Sequence, residues 1–223
     1  VLSSPEASGG SSGGSGGRSG SGGSGSSSGS GNNSGTNNSG NPTAPPSGQS
    51  SFSDVASGAY YKSAVDWAVE KNITSGKTAS LFAPDEACTR AQAVTFLWRS
   101  AGSPEPAYSV NKFTDVKADA YYYKAVLWAV EKGITSGTSA TTFSPDKTVS
   151  RAEMATFLWR YAETPASAGT GSFTDVNANS YYHDAVLWAS EKGITSGTSA
   201  TKFSPDSNCT RAQIVTFLYR HMN

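Results

Sequence analysis

Apolar side chains recur with the spacing of an α-helix in pairs of segments along most of the chain. In the middle pair, the first segment predicts a helix over residues 121–132, followed by Gly133 as a left-handed cap. Its apolar face consists of Tyr122, Ala125, Val126, Ala129 and Val130. The second segment predicts a helix with the core residues Met154, Phe157, Leu158 and Tyr161. Each pair therefore predicts a helix–loop–helix unit.

A polar signature marks the start of the second helix. Ser150 and Glu153 match a capping box, in which the hydroxyl accepts from the Glu153 amide and the carboxylate accepts from the Ser150 amide. Gln92 and Gln213 occupy the corresponding position in two further copies, where Thr replaces the Ser. We therefore interpret Gln92, Glu153 and Gln213 first as helix caps.

The same unit occurs three times. An arginine recurs after 61 and then 60 residues, as Arg90, Arg151 and Arg211. Other landmarks keep this step: Phe52, Phe113 and Phe173; Trp67, Trp128 and Trp188; Ile73, Ile134 and Ile194; Phe82, Phe143 and Phe203. A fixed long period indicates one supersecondary unit used repeatedly. One unit alone leaves its apolar face exposed, so we expect three to pack around a shared core in an all-α fold.

A loop of about 16 residues joins the two helices of the middle unit. We expect Ile134 and Phe143 to anchor this loop in the core, while Gly137 marks a turn. Asp115, which precedes the first helix, is expected to accept backbone N–H bonds just before that helix. Loops of this length often carry function.

The first 51 residues differ in composition from the rest. Of the first 50, 15 are Gly and 17 are Ser, and no aromatic residue precedes Phe52. Such a segment cannot bury enough apolar surface to fold. We interpret residues 1–51 as a disordered Gly/Ser-rich linker, followed by repeats over residues 52–110, 111–170 and 171–223. Because a linker joins two parts and the chain starts at Val1, we expect a further domain upstream.

Composition and charge argue against several classes of function. The formal net charge is zero without a basic stripe, which argues against nucleic acid as a partner. No apolar run has the length of a membrane span. The two histidines, His183 and His221, belong to no nucleophilic or metal-ligand pattern, and we interpret His183 as a solvated surface residue. We therefore predict no catalysis, cofactor or metal in this chain, although an upstream domain could be an enzyme.

Two cysteines occupy the same position in the first and third repeats. Val149 stands there in the second repeat, so we interpret Cys88 and Cys209 as small apolar side chains under a helix start. A disulfide between them would need a close Cα approach that the sequence does not establish. Their pairing, like the oligomeric state, stays open at this point.

Together these motifs resemble the S-layer homology domain family. The signature is F-x-D-V, a helix with A-[IV], G-I-x-x-G, F-x-P-x-x-x-x-T-R-A-E and an apolar helix ending in Arg, and it recurs from Phe52 to the C-terminus. Two features depart from it. Tyr60, Tyr121 and Tyr181 stand where the family often has Trp, and the first and third repeats have Gln in place of the acid of T-R-A-E.

The resemblance implies both a fold and a function. The fold would be a pseudo-threefold bundle with grooves between neighbouring repeats. The function would be non-covalent anchoring to secondary cell-wall polysaccharide, often bearing pyruvate ketals, at the bacterial cell wall or S-layer outside the cell. The partners would be this anionic glycan and either an S-layer lattice or an upstream catalytic domain.

The three arginines are the leading candidates for glycan contact. Arg90, Arg151 and Arg211 fall at the first position of a helix, where free N–H groups and the helix dipole favour an anion. A guanidinium grips a carboxylate with two hydrogen bonds, and a pyruvyl ketal supplies that carboxylate. The further candidates are Tyr60, Tyr121 and Tyr181 for stacking on the sugar, Gly76, Gly137 and Gly197 for close backbone approach, and Gln92, Glu153 and Gln213.

Each candidate also has a purely structural interpretation. The arginines can pair with an Asp and only staple the fold, and the glycines can serve turns alone. We interpret the repeated tryptophans as core residues in preference to platforms for sugar stacking. We interpret Asp85, Asp146 and Asp206 as turn residues, because the loop lacks the ligand pattern of a calcium site. The alternative for the whole chain is a structural S-layer or protein-interaction module without direct glycan recognition.

Overall fold

Three pairs of helices form a pseudo-threefold bundle. The computed structural model describes residues 52–108, 110–169 and 173–223, and these contain six α-helices. The helices are α1 (Lys62–Glu70), α2 (Arg90–Ser100), α3 (Tyr123–Glu131), α4 (Arg151–Tyr161), α5 (His183–Glu191) and α6 (Arg211–Met222). The predicted all-α fold of three helix–loop–helix repeats is confirmed, whereas the linker predicted over residues 1–51 lies outside the described residues.

The helices of one repeat pack mainly against helices of other repeats. The second helices α2, α4 and α6 contact one another at the centre of the bundle. Around them, α3 packs on α2, α5 packs on α4, and α1 packs on α6. Each first helix is thus covered by the second helix of the preceding repeat. For the first repeat, the covering helix is α6 of the last repeat, so the three repeats close into a ring. All three repeats are therefore needed to bury every apolar face.

A ring of backbone hydrogen bonds links the three repeats just before their second helices. The Cys88 N–H donates to the Cys209 carbonyl at 2.9 Å, and the Cys209 N–H donates to the Val149 carbonyl at 2.8 Å. The Val149 N–H closes the ring on the Cys88 carbonyl at 2.9 Å. All three side chains are fully buried, and both cysteines are free thiols. The interpretation of Cys88 and Cys209 as packed apolar side chains is confirmed.

Helix ends follow the sequence signals closely. The capping boxes of α2, α4 and α6 are complete in all three copies. The left-handed positions after the first helices are also confirmed, with φ of 57° at Asn72, 67° at Gly133 and 68° at Gly193. The first helix of the middle repeat begins at Tyr123, two residues later than predicted, because residues 121 and 122 form a turn.

The repeated aspartate of the first turn has a different role from the one predicted. Asp115 accepts from the backbone N–H groups of Phe143 and Ser144 at 2.9 and 2.7 Å. It therefore fastens the distant loop rather than the helix that follows it. Ser144 has a φ of 58°, so this carboxylate also holds a left-handed residue in place. Ile134 and Phe143 are fully buried, which confirms that they anchor the loop.

Three further features bear on possible functions. Within the described residues, no helix combines the length and apolarity needed to cross a lipid bilayer. In the same part of the chain, no group of three or more His, Cys, Asp or Glu side chains is suited to hold a metal ion. His183 lies at the surface with its side chain 26% exposed, and its Nδ1 lies 2.9 Å from Asp184 Oδ1.

Candidate functional site

A cavity of about 360 Å³ lies where all three repeats meet. Its lining includes Arg90 from α2, Glu153 and Arg160 from α4, Tyr181 just before α5, and the loop at Gly137. We call it the Arg90 groove. The lining thus includes one arginine, one tyrosine, one glycine and one capping residue from the predicted site. The grooves were expected between two neighbouring repeats, but this one draws side chains from three.

The guanidinium of Arg90 is held through Nε, through Nη1 and by two aromatic rings. It is 3% exposed, and its Nε donates to the Phe143 carbonyl of the next repeat at 3.0 Å. The guanidinium carbon lies 5.0 Å from the ring centre of Phe143 and 5.4 Å from that of Phe157. Nη1 donates to Glu153 Oε1 at 3.0 Å. Arg90 thus joins the first repeat to the second.

Arg151 and Arg211 occupy the equivalent position at the other two junctions between repeats, which we call the Arg151 groove and the Arg211 groove. Each is buried and donates from Nε, at 2.8 Å, to the carbonyl of Phe203 or Phe82, respectively. The guanidinium carbons again lie 4.8 to 5.5 Å from two phenylalanine ring centres each. The residues equivalent by repeat position to Glu153, Tyr181 and Gly137 are Gln213, Tyr60 and Gly197 for the Arg151 groove. For the Arg211 groove they are Gln92, Tyr121 and Gly76. Electrostatic interactions between Tyr60 and Arg151, and between Tyr121 and Arg211, agree with this grouping.

The free N–H groups expected at the helix starts are not free. The Arg90 N–H donates to the Lys147 carbonyl at 2.9 Å, and the Ala91 N–H donates to the Pro145 carbonyl at 3.0 Å. The third N–H is taken by the capping hydroxyl of Thr89. The other two second helices repeat these bonds. The prediction of an anion site at helix N–H groups is therefore wrong, and only the arginine side chains remain for that purpose.

Glu153 has two roles, whereas its glutamine counterparts have one. Glu153 Oε2 accepts from the Ser150 N–H at 2.9 Å, which leaves Oε1 to accept from Arg90 at 3.0 Å and from Lys147 Nζ at 3.3 Å. Gln92 and Gln213 each use their single oxygen for the cap, at 3.1 and 3.2 Å. The cap is thus common to all copies, and the carboxylate–guanidinium pair is specific to the Arg90 groove.

Among the described residues, two fully buried guanidinium nitrogens lack an acceptor. Nη2 of Arg151 and Nη2 of Arg211 are buried and make no hydrogen bond within the part of the chain that the structure describes. Burial lowers the pKa of both side chains, yet an arginine keeps its charge in proteins. A buried donor without an acceptor costs free energy. The structural alternative is correct in that all three arginines join repeats, but their partners are phenylalanine carbonyls, and for Arg90 also Glu153, rather than an Asp.

Exposed tyrosines stand at the edge of the grooves. Tyr60, Tyr121 and Tyr181 are 66, 60 and 62% exposed. Each ring meets the next tyrosine edge-on, with ring centres 5.0 to 5.1 Å apart, which limits its rotation. Partial burial raises the pKa of Tyr181, and the charge of Glu153 acts in the same direction. These phenols are therefore neutral and able to donate a hydrogen bond.

The groove glycines are required by the fold itself. Gly137 has a φ of 97°, and a Cβ placed there would lie 2.5 Å from both the Phe113 ring and the Thr142 carbonyl. Gly76 and Gly197 have similar φ values and similar close neighbours. The turn interpretation accounts for these glycines. Trp128 and Trp188 are core residues at 2 and 3% exposed, whereas Trp67 is partly buried and packs edge-on against Tyr219.

A second arginine set was not predicted as part of the site. Arg160 lines the Arg90 groove and donates from Nη1 to the Ile134 carbonyl at 3.1 Å. Arg99 and Arg220 make the equivalent bonds to Ile73 and Ile194. The signal was present in the sequence as the arginine that recurs at the end of each apolar second helix. These bonds fasten the end of a first helix beside each groove.

Comparison with known proteins identifies similar modules in several bacterial proteins. A surface-layer 125 kDa protein of Lysinibacillus sphaericus is 38% identical over 112 residues, which cover 50% of this chain and 9% of that protein. A cellulosome-anchoring protein of Acetivibrio thermocellus is 28% identical over 160 residues, covering 66% of this chain and 34% of that protein. An amylopullulanase of Thermoanaerobacterium thermosulfurigenes is 26% identical over 176 residues, covering 76% and 9%.

The chain thus spans about a third or less of each of these relatives. Because the match to the amylopullulanase concerns 9% of its length, it carries no catalytic activity over to this chain. The family model of the S-layer homology domain matches residues 51–94, 112–155 and 172–215, one match in each repeat. This chain belongs to the S-layer homology domain family.

Proposed function

We propose that this chain is an extracellular anchor that binds the cell-wall polysaccharide of a bacterium non-covalently through its arginine grooves. Membership of the S-layer homology family supports this role, as do relatives named as surface-layer and cellulosome-anchoring proteins. The anchor holds the rest of a longer protein at the cell wall or S-layer. The chain contributes binding rather than catalysis.

The observation that carries the proposal is the state of two buried guanidinium groups. Arg151 and Arg211 are held in place by a carbonyl and two aromatic rings, yet each keeps one buried nitrogen without an acceptor. Such a group is pre-positioned for an anionic ligand, because its side-chain entropy is already lost in the free protein. A carboxylate accepts two hydrogen bonds from one guanidinium.

A pyruvylated glycan fits this chemistry better than a neutral one. A pyruvyl ketal places a carboxylate at a fixed position on a sugar ring. The guanidinium receives the carboxylate, while the neighbouring tyrosine packs on the apolar face of the sugar and bonds a hydroxyl. Both groups are present in each groove, at Arg151 with Tyr60 and at Arg211 with Tyr121.

The exposed tyrosines offer a cleaner test than the arginines. Because each buried arginine also joins two repeats, Arg→Ala variants will lose stability together with any binding. Tyr60→Ala and Tyr121→Ala remove rings that are more than half exposed, so the bundle is expected to stay folded. Tyr108→Ala provides a matched control, because Tyr108 is 69% exposed and lies outside the grooves.

The experiment is cosedimentation of the chain with purified bacterial cell walls before and after removal of pyruvyl groups by mild acid. We expect retention on intact walls, loss of retention on treated walls, and loss for the Tyr60→Ala/Tyr121→Ala variant but not for Tyr108→Ala. Unchanged retention on treated walls would refute recognition of the ketal. Sedimentation of the chain alone, without walls, would favour the protein-interaction alternative.

A further inference from the structure

A second cavity, of about 400 Å³, is lined by residues from the C-terminal ends of α4, α5 and α6. Ala162 follows α4, Lys192 follows α5, and Arg220 and His221 belong to the last turn of α6. We call this cavity the α6 pocket. It shares no lining residue with the Arg90 groove, and its volume is that of a site for a small ligand.

The polar side chains around the α6 pocket are hydrogen-bond donors, and none of its lining residues is acidic. Lys192 Nζ makes no hydrogen bond to a described residue. Arg220 donates from Nη1 to the Ile194 carbonyl at 3.1 Å, which leaves its remaining N–H groups without an acceptor in the same part of the chain. Two permanent positive charges therefore border the pocket with donors to spare.

His221 is held by aromatic rings and not by hydrogen bonds. Its ring centre lies 5.9 Å from that of Tyr161 and 5.5 Å from that of Trp188, edge-on in both cases. Trp188 is 3% exposed, and its indole N–H has no acceptor among the described residues. The indoles of Trp98 and Trp159, by contrast, donate to carbonyls at 2.8 and 2.9 Å. The imidazole is thus fixed in place while its nitrogens stay available for a ligand.

The acidic residue next to Lys192 in sequence is engaged elsewhere. Glu191 Oε2 accepts from Ser167 Oγ at 2.7 Å and from the Ala168 N–H at 3.0 Å. The hydrogen bond from Ser167 lowers the pKa of Glu191, and the charge of Lys192 contributes. Glu191 is exposed and does not line the pocket, so solvent screens this attraction.

The helix dipole explains only part of this arrangement. Basic side chains are favoured at helix C-termini, and all three repeats have lysine and arginine at the positions of Lys192 and Arg220. The position of His221 is occupied by Ser100 and Tyr161 in the other repeats. The third repeat alone therefore combines three basic side chains there.

We propose that the α6 pocket binds a phosphate group carried by a sugar. A ligand surrounded by donors has to supply acceptors, and a phosphate ester supplies three acceptor oxygens and up to two negative charges. Lys192, Arg220 and protonated His221 give it charged hydrogen bonds, while Pro165 and Ile194 form an apolar wall for the carbon face of the sugar. The single charge of a carboxylate matches only part of this set.

This site goes beyond the three arginine grooves, because it lies elsewhere and recognises a different anion. The choice of a sugar as the carrier rests on the proposed function. Arg220 is equivalent by repeat position to Arg160, which lines the Arg90 groove. The test therefore uses Lys192 and His221 instead of Arg220.

Calorimetric titration of the chain with glucose 6-phosphate tests the site, with glucose and inorganic phosphate as comparison ligands. We expect one site per chain, no binding of glucose, and clearly weaker binding of inorganic phosphate. Lys192→Ala should weaken binding at least about tenfold, as expected when a charged hydrogen bond is lost. Lys132→Ala, which removes the equivalent exposed lysine of the second repeat, should leave it unchanged. Absence of binding, or equal loss in both variants, would overturn the site, and equal binding of inorganic phosphate would overturn the assignment to a sugar.

The two histidines provide a second readout that a purely structural role would not change. Burial lowers the pKa of His221 in the free chain, and Tyr161, Trp188, Lys192 and Arg220 are the groups around its ring. Bound phosphate should raise this pKa, since an anion favours the protonated ring. Proton NMR of the ring C–H signals measures it. An unchanged pKa of His221 at saturating glucose 6-phosphate would contradict the proposed contact.

The remaining controls separate this site from the grooves. His183 lies outside the pocket, so its ring signals should not respond to glucose 6-phosphate. The Tyr60→Ala/Tyr121→Ala variant should bind glucose 6-phosphate as the unmodified chain does, and loss of that binding would mean that the ligand occupies the grooves instead. Lys192→Ala should stay on intact cell walls through the grooves. Failure of the α6 pocket therefore leaves the proposed anchoring function standing, and failure of anchoring does not remove the pocket.

Discussion

Arg90 and Glu153 form an ion pair, 3.0 Å between Nη1 and Oε1, that joins the second helices of two different repeats. Glu153 is also the cap of its own helix, so one carboxylate serves local structure and contact between repeats together. Because the arginine is 3% exposed, the pair is shielded from solvent, unlike the Lys147–Glu153 contact at the surface. The two contacts should therefore differ in strength.

Glu153→Gln is expected to lower the free energy of unfolding by about 2 kcal/mol, because a buried guanidinium loses its charged acceptor. The cap should persist, since Gln92 and Gln213 form it in the other repeats. Lys147→Ala should cost less than about 1 kcal/mol, as is usual for an exposed pair. Urea denaturation of both variants measures the difference, and equal midpoints would contradict the account.

Two glycines of the middle repeat should respond differently to alanine. Gly137→Ala places a Cβ 2.5 Å from a ring and a carbonyl at a φ of 97°, and should destabilise by roughly 3 kcal/mol. Gly133 has a φ of 67° with no atom within 4 Å of its Cβ position, so Gly133→Ala should cost about 1 kcal/mol. Gly133→Asn should cost less still, since Asn72 fills that position in the first repeat. Thermal unfolding ranks the stability of the three variants. An unchanged unfolding temperature in Gly137→Ala would refute the proposed steric crowding.

The two thiols should be inert in the folded protein. Burial raises the pKa of Cys88 and of Cys209 to about 12, so almost no thiolate exists at pH 8. We expect negligible labelling by a thiol reagent at pH 8 and two equivalents after denaturation in urea. Fast labelling without denaturant would mean that the backbone ring at the bundle axis opens. Cys88→Val should fold normally, because Val149 fills the same position.

His221 should make the stability of the bundle depend on pH below neutrality. Its ring lies between Tyr161 and Trp188, with Lys192 and Arg220 nearby, and burial lowers its pKa below the usual 6.5. The unfolded chain then binds the proton more readily, so stability is full above about pH 6.5 and falls as the pH decreases. In His221→Tyr, the side chain becomes the one that Tyr161 has at this position in the second repeat. The urea midpoint of this variant should change less between pH 7.5 and 5.5 than that of the unmodified chain. An unchanged slope in that variant would assign the dependence to other groups.

Much of the fold follows from local sequence signals. The three-residue and four-residue spacing, the capping boxes and the left-handed Gly133 each depend on neighbours within one or two turns, so the helices and their ends were predictable. The partner of Asp115 lies 28 residues away, and that of Arg90 Nε lies 53 residues away. A repeat period shows that the units are alike, but it does not show which units pack against each other. The packing of α1 against α6 could therefore not be inferred from it.

The candidate site was predictable in its residues but only partly in its chemistry. The recurring arginine, tyrosine and glycine positions were visible as a period, and they lie together around the grooves. The helix N–H groups were misjudged because their acceptors, such as the Lys147 carbonyl, belong to another repeat. The sequence shows Glu153 where the other two repeats have glutamine, but the ion pair of Glu153 with Arg90 depends on packing between repeats and became visible only in the structure.

The most direct measurement is a nitrogen–proton correlation spectrum of the arginine Nε–H groups during titration with a methyl hexoside that carries a 4,6-pyruvyl ketal. These groups are bonded to phenylalanine carbonyls, which slows their exchange with water. We predict that the Arg151 and Arg211 signals shift with the acid and not with its methyl ester. Equal shifts with the methyl ester, or no shift of either signal despite binding, would contradict the proposed contact between these arginines and the carboxylate.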